Sequence, residues 1–181
     1  DRVGLMVNVG GGEFKVLTGN QTGVLLLDYL IGAMERTGKL PEKPVALKTI
    51  VTTEMARKVA EVNGLKCFDT FTGFKFLAQK KDQLEGSGEG NVIMSYEESY
   101  GYMLGSFVRD KDAVTAAVAM TEMAAWYAGQ GMTLYDALLA LYEKYGFYSE
   151  RTMNLVMPGL DGLKKMADLM AVLRSQPPVE I

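Results

Sequence analysis

Strand-like and helical patterns alternate along this chain, and that alternation limits its fold more than any other property of the sequence. Residues 45–51, 65–71 and the run Val92-Ile93-Met94 are short and apolar, as expected of strands buried on both faces. Residues 22–36, apolar nearly all round, precede the first run and close at Thr37-Gly38, where glycine suits a left-handed cap. Between the first two runs, Thr52 or Thr53 can cap a helix that carries Met55, Val59 and Val62 on one face and stops at Asn63-Gly64. The alanine-rich stretch 113–128 starts after Asp110 or Asp112, and its lack of charge predicts burial on most sides. Thr133 and Asp136 form a capping-box pattern for 134–145, stopped by Gly146. Such an order predicts an α/β fold, a three-layer α/β/α domain around a small mixed sheet.

The remaining segments are shorter. Residues 3–7 and 13–17 read as a hairpin whose turn, 8–12, contains Gly10-Gly11-Gly12. That triple glycine lacks the G-x-G-x-x-G spacing and the lysine of a phosphate loop, and turn chemistry accounts for it. A short helix is expected over 73–81, then a loop over 82–90, rich in charge and glycine. Residues 147–156 look strand-like, and an amphipathic helix over 160–174 ends before Pro177-Pro178. One strand and one helix cannot form an independent core, so 147–181 reads as the start of a neighbouring domain. The chain opens on Asp1-Arg2 and runs directly into Val3-Gly4-Leu5, which reads as a segment cut from something longer.

Composition removes several function classes. The net charge is −3 with no basic block, which argues against duplex nucleic acid as the partner. The most apolar stretch, 22–34, is too short for a membrane span and is broken by Asp28 and Gly32. With 1 cysteine there is no intrachain disulfide, which suits a reducing, cytoplasmic setting, and Cys67 lies in an apolar run as expected of an inert core thiol. With 0 histidines, Ser-His-Asp and Cys-His catalysis and any imidazole metal site are excluded. Chemistry here falls to carboxylates, lysine, arginine, hydroxyls and backbone amides.

Those groups cluster at strand ends. After Val92-Ile93-Met94 comes Ser95-Tyr96-Glu97-Glu98-Ser99-Tyr100-Gly101, and the strand is expected to stop near Ser95 because glutamate and glycine are poor strand residues. In an extended chain Glu97 and Ser99 face together while Glu98 faces away, an arrangement suited to the vicinal hydroxyls of a sugar. An exposed acidic loop would have the same composition. Arg109-Asp110-Lys111-Asp112 could hold an anion at a helix start, or be a capped helix with solvated charges. Thr70-Phe71-Thr72-Gly73-Phe74-Lys75 could offer amides and a hydroxyl to a phosphate, or be a plain strand-to-helix turn. Lys48, inside an apolar strand, must snorkel or meet a counter-charge. In a parallel sheet all of these could line one rim.

As a set, these segments resemble the α-D-phosphohexomutases, the phosphoglucomutase/phosphomannomutase family. Asp1-Arg2-Val3-Gly4 is similar to the end of the family's D-x-D-x-D-R magnesium loop, and Thr72-Gly73-Phe74-Lys75 to its T-G-[WFH]-K segment. Glu97-Glu98-Ser99 resembles the E-x-S sugar-recognition loop, and Arg109-Asp110-Lys111-Asp112 the R-[DE]-K-D phosphate-contacting segment. Leu17-Thr18-Gly19-Asn20-Gln21-Thr22-Gly23 and Lys48-Thr49-Ile50-Val51-Thr52-Thr53 also fit, in the right order. The resemblance implies a four-domain parent, with residues 1–8 the tail of the metal-loop domain, 9–146 the third, sugar-binding domain, and 147–181 the start of the fourth. It implies an isomerase that interconverts hexose 1-phosphate and hexose 6-phosphate through a phosphoserine and a bisphosphate intermediate, assisted by Mg²⁺. Glu97 and Ser99 would hold sugar hydroxyls, Thr72 and Lys111 the phosphate or adjacent hydroxyls, Arg2 would lie near the transferring phosphate, and Asp1 would be one of three metal aspartates. Lys48 and Lys75 are further candidates.

The chain also departs from the pattern. The T-x-S-H-N-P phosphoserine motif, the other two metal aspartates and the R-x-S-G-T-E-P phosphate loop are absent. These 181 residues alone are therefore expected to be inactive, and Asp1 alone is not expected to hold Mg²⁺ firmly. Tyr100 stands where many members have a small residue. The competing reading is a non-catalytic carbohydrate- or phosphate-binding α/β module. A nucleotide-binding domain is disfavoured by the missing glycine fingerprint.

Overall fold

The computed structural model describes residues 1–150 and 155–177 and divides into two compact units, Asp1–Tyr148 and Ser149–Ile181. The first unit opens with an antiparallel hairpin, β1 (Met6–Gly10) and β2 (Glu13–Val16). Gly10, Gly11 and Gly12 all take positive φ in its turn, and Asn8 Oδ1 accepts from the Gly10 amide at 2.8 Å. Helix α1 (Gly19–Arg36) begins three residues before the expected start, because Thr18 and Gln21 close a reciprocal capping box. Then follow β3 (Pro44–Thr49), α2 (Glu54–Val62), β4 (Lys66–Thr70) and α3 (Phe74–Ser87). Strands β5 (Asn91–Glu97) and β6 (Gly101–Met103) and helices α4 (Ala113–Ala128) and α5 (Leu134–Tyr145) complete the unit.

The four-stranded sheet has the order β4-β3-β5-β6, with β4, β3 and β5 parallel and β6 antiparallel to β5. Its two faces have separate cores. Ala46, Met94 and Tyr96 join a large cluster with α1, α2, α4 and α5, whereas Val45, Leu47 and Met103 pack with Phe74, Leu77 and Leu84 of α3. This is the mixed three-layer α/β/α domain that the alternation predicts. Within β5 the register against β3 skips a residue: Val45 pairs with Val92, but Ala46 pairs with Met94. That bulge at Ile93 sets which face each later side chain reaches.

Several local expectations are corrected. The loop expected over 82–90 is mostly helix: α3 continues to Ser87 and ends on Gly88 in the left-handed conformation. Leu84 is fully buried there, Lys81 pairs with Glu85, and the same carboxylate accepts the Val92 amide at 3.2 Å. The strand does not stop near Ser95. It runs to Glu97 because β6, which the sequence pattern did not reveal, pairs Tyr96 with Tyr102 and Glu97 with Gly101. Helix α4 buries only one stripe, Ala116, Ala119, Met120 and Met123, and leaves Val114 and Val118 exposed on an outer layer. Thr53 caps α2, while Asp112 caps α4 and Thr133 with Asp136 boxes α5 as anticipated.

In the second unit α6 (Gly159–Ser175) is the regular element among the described residues. Of the expected strand over 147–156, residues 147–150 and 155–156 are not in a strand, and 151–154 lie outside the described residues. No helix among the described residues is long and apolar enough to cross a membrane.

Candidate functional site

The site grows from the end of β5. Tyr96 and Tyr102 stack across the β5–β6 pair at 6.1 Å between ring centroids, which anchors the hairpin in the larger core. Past Glu97 the chain turns through Glu98, Ser99 and Tyr100, and Tyr100 takes a left-handed φ of 67°. Strand alternation therefore ends at Glu97 and does not govern Ser99, as the extended-chain reading supposed. Ser99 sits half-buried in the turn.

The two adjacent carboxylates diverge. Glu97 lies on the α3 face, 5% exposed, and its Oε1 accepts from the Gly73 amide at 2.7 Å. Gly73, at φ 116°, is the N-cap of α3, so this bond ties the Thr72-Gly73 turn directly to the end of β5. A carboxylate at a helix N-terminus is also favoured by the helix dipole. Gly101 gives Phe74 and Lys111 room to approach: a Cβ there would meet the Phe74 ring at 2.7 Å and Lys111 Cδ at 3.0 Å. The Lys111 ammonium lies 5.1 Å from the Phe74 ring centroid and 2.9 Å from Asp110 Oδ1. Hydrogen bonds from Lys111, first its side chain and then its amide, hold the Asp110 carboxyl below its ordinary range.

The leading segment joins the same place. Asp1 Oδ1 accepts from the Ala113 amide at 2.7 Å, at the start of α4, and the Val3 amide donates to the Tyr100 carbonyl at 3.3 Å. Segments carrying Asp1, Thr72, Glu97 with Ser99, and Lys111 thus converge, although they are spread over the chain. Arg2 and Thr72 are exposed. Arg109 is mostly solvated and pairs with Asp82 on α3. Lys75 is exposed beside the Phe76 ring. Next to Thr72, a cleft of about 290 Å³ opens between the end of β4 and α3, lined by Ile50, Phe71, Phe76 and Lys80 among others.

Glu98 turns to the other side. Its Oε2 accepts from Thr49 Oγ1 at 3.3 Å and Thr52 Oγ1 at 3.2 Å, and the two hydroxyls lie 2.7 Å apart. Beneath the turn, Gly19 and Gly23 of α1 are four residues apart on one face. A Cβ on Gly19 would fall 1.9 Å from the Glu98 carbonyl oxygen, and one on Gly23 would fall 2.1 Å from the Tyr96 ring. Only an unsubstituted helix face lets the hairpin approach this closely. The period-two reading signalled that Glu98 faces away from Glu97, but the hydroxyl pair and the glycine seat that meet it, although both lie in segments that fit the family pattern, are tertiary neighbours whose contact no local pattern shows.

Lys48 meets counter-charge rather than snorkelling. It is 0% exposed, and its ammonium lies 2.6 Å from Glu54 Oε1, 2.9 Å from Asp69 Oδ1 and 3.1 Å from the Thr52 carbonyl. Arg57 links the same two carboxylates and donates to the Cys67 carbonyl. These bonds, with Lys48 first, lower the Glu54 carboxyl. Cys67 is buried, and burial pushes its thiol up to about 11, which makes it a poor thiolate at neutral pH.

The residues present do not build a metal centre. The carboxylate of Asp1 is engaged by the Ala113 amide, and among the described residues no group of three or more Asp, Glu or Cys side chains could hold an ion. No chemical step is therefore assigned to a metal here.

Comparison with known proteins agrees with this architecture. A profile described as "Phosphoglucomutase/phosphomannomutase, alpha/beta/alpha domain III" matches residues 18–145. Phosphoglucomutases of two Staphylococcus aureus strains are 36% and 35% identical over the whole chain, which covers 32% of each. The chain thus spans about a third of the length of these curated relatives. Among solved structures, a Thermus thermophilus protein solved as a candidate phosphomannomutase aligns with a TM-score of 0.59 at 22% identity, over 80% of this chain and 29% of that one. Paramecium parafusin, a phosphoglucomutase in its open form, aligns at 0.54 and 21%, over 73% of this chain and 22% of that one. At such identities these two show the shared fold. With its α/β/α layers, its converging strand-end segments and a match over most of its length, the chain belongs to the phosphoglucomutase/phosphomannomutase family and carries that family's third domain.

Proposed function

We propose that this chain is the sugar-phosphate recognition part of a hexose-phosphate mutase that interconverts hexose 1-phosphate and hexose 6-phosphate. The reacting phosphoserine and the remaining phosphate contacts would come from other parts of a longer protein. The observation that carries the reading is the 2.7 Å bond from the Gly73 amide to Glu97, which holds a sugar-facing carboxylate beside the Thr72-Gly73 turn. In this reading Glu97 and Ser99 accept and donate hydrogen bonds to vicinal sugar hydroxyls, and a bound carboxylate is already oriented before substrate arrives. Thr72 contributes a hydroxyl to the phosphate end, and Lys111 contributes a cation. The pairing of Lys111 with exposed Asp110 is of the weak surface kind, about 0–1 kcal/mol, so a phosphate dianion can displace it. Arg2 would lie near the transferring phosphate, and Asp1 would be one of the metal aspartates, the others supplied elsewhere.

Hydrogen bonds to a charged acceptor contribute about 1.5–3 kcal/mol each. Replacing Glu97 with alanine in the full-length protein should therefore lower kcat/KM on glucose 1-phosphate by roughly 10²–10³-fold, with the far-ultraviolet circular dichroism unchanged. Undiminished turnover would remove Glu97 from the site and end the sugar-recognition reading.

A further inference from the structure

We propose that Glu98 is a positioning residue, and that the buried hydroxyls of Thr49 and Thr52 fix it so that its sequence neighbours Glu97 and Ser99 present one orientation to the sugar. The inference rests on the reading that Glu97 and Ser99 bind sugar hydroxyls, and it adds residues that touch no substrate.

Three contacts hold the turn, and none comes from the groups assigned to the sugar. On one side Thr49 and Thr52 converge on Glu98 Oε2. Both threonines are buried at the β3–α2 connection, and the Lys48 ammonium pins the Thr52 carbonyl. Two hydroxyl protons serve three oxygen–oxygen contacts, so every arrangement sends at least one proton to the carboxylate. Both protons go there when neither hydroxyl donates to the other. From below, the Glu98 carbonyl rests against Gly19, where no Cβ intervenes. From the leading segment, the Val3 amide holds the Tyr100 carbonyl. Ser99 stands between two residues whose backbones are fixed, and Glu97 precedes them on a paired strand. A substrate-aligning group displaced by about 1 Å can lose on the order of 10²-fold in rate, so rigidity of this turn bears directly on turnover.

The test is made in the full-length protein with glucose 1-phosphate as the probe, comparing kcat, KM and thermal unfolding across a small set of variants. Thr49→Val with Thr52→Val removes both donors at nearly constant volume. Its kcat should fall roughly 10–100-fold while KM stays within about 3-fold, because Thr72 and Lys111, assigned to the phosphate end, are untouched. Thr49→Ser with Thr52→Ser, which keeps both hydroxyls, should restore most of kcat. Glu98→Ala should match the valine pair, and combining all three should be no worse than Glu98→Ala, as expected of groups acting through one contact. Should the valine pair fail to fold, Thr52→Val alone carries the test, with an expected loss of about 5-fold. A valine pair with kcat within 2-fold of the parent, or a serine pair that restores nothing, overturns the proposal. Glu97→Ala serves as the reference. If it is impaired and the valine pair is not, only the positioning role falls; if Glu97→Ala is fully active, the sugar reading falls and takes this proposal with it.

Discussion

Two hairpins turn the chain in this domain, and they do so for opposite reasons. The β1–β2 turn is three glycines at φ 101°, 60° and 83°, and a Cβ on any of them would meet nothing within 4 Å. The β5–β6 turn uses no glycine within it, places Tyr100 at a left-handed φ, and is crowded by α1, the β3–α2 connection and the leading segment. Left-handed backbone costs an ordinary residue about 1–2 kcal/mol, so surrounding contacts must impose it on Tyr100. The first turn needs only its own freedom. The second borrows its shape from the rest of the fold, as the ligand-holding role proposed for it requires.

The comparison breaks most sharply at Gly19. Gly19 is the first residue of α1, so alanine gains little helix propensity there, and it drives a Cβ into the Glu98 carbonyl, where overpacking costs typically about 1–3 kcal/mol. Gly19→Ala should lower unfolding stability in urea by roughly 2 kcal/mol. Stability equal to the parent's would mean that the hairpin does not sit on α1 as described. Acid probes the same support from β3. The folded-state carboxyl of Glu54 titrates below its ordinary 4.5 because Lys48 and Arg57 bind its charged form. That contribution is complete above pH 4.5 and is lost as pH falls through the lowered folded value. The melting temperature should therefore drop below pH 4.5 more steeply in the parent than in Glu54→Gln; parallel curves would count against the network. The smallest effect belongs to the free turn. Gly11→Ala should cost about 1 kcal/mol of stability for its left-handed φ and leave the turnover proposed for the full-length protein unaltered. A change in turnover there would erase the distinction between the two hairpins.

Features encoded locally were legible in the sequence. The caps at Thr53, Asp112 and Thr133 and the strand–helix alternation each occupy a few neighbouring residues, and each appears in the structure. What escaped depends on distant partners. Helix α3 runs through a stretch that reads as loop because Leu84 is buried against the sheet and Glu85 is bound by Lys81 and the Val92 amide. Gly101-Tyr102-Met103 carries no strand pattern of its own and is a strand because β5 pairs with it. The low charge of α4 predicted burial on most sides, yet a helix on an outer layer has one covered face. At the site, strand-end position alone foretold that the Thr72-Gly73 turn and Glu97 would be neighbours. Nothing local foretold that Glu98 would find Thr49 and Thr52.

The bulge at Ile93 has one more consequence. Val92 belongs to the α3 side, while Ile93 and Met94 both belong to the α1 side, so the extra residue acts as a parity switch on everything downstream. Deleting a single residue there would only smooth the bulge: Val92 and Met94 would then alternate regularly, and Tyr96 and Glu97 would keep their faces. Pairing the strand without a bulge while keeping Ile93 would instead point the rim carboxylate at α1, away from Gly73. The faces that Tyr96 and Glu97 address thus depend on the ladder absorbing the extra residue, and not on which residue it is. The direction of the rim carboxylate is therefore decided by how the strand is paired four residues before it.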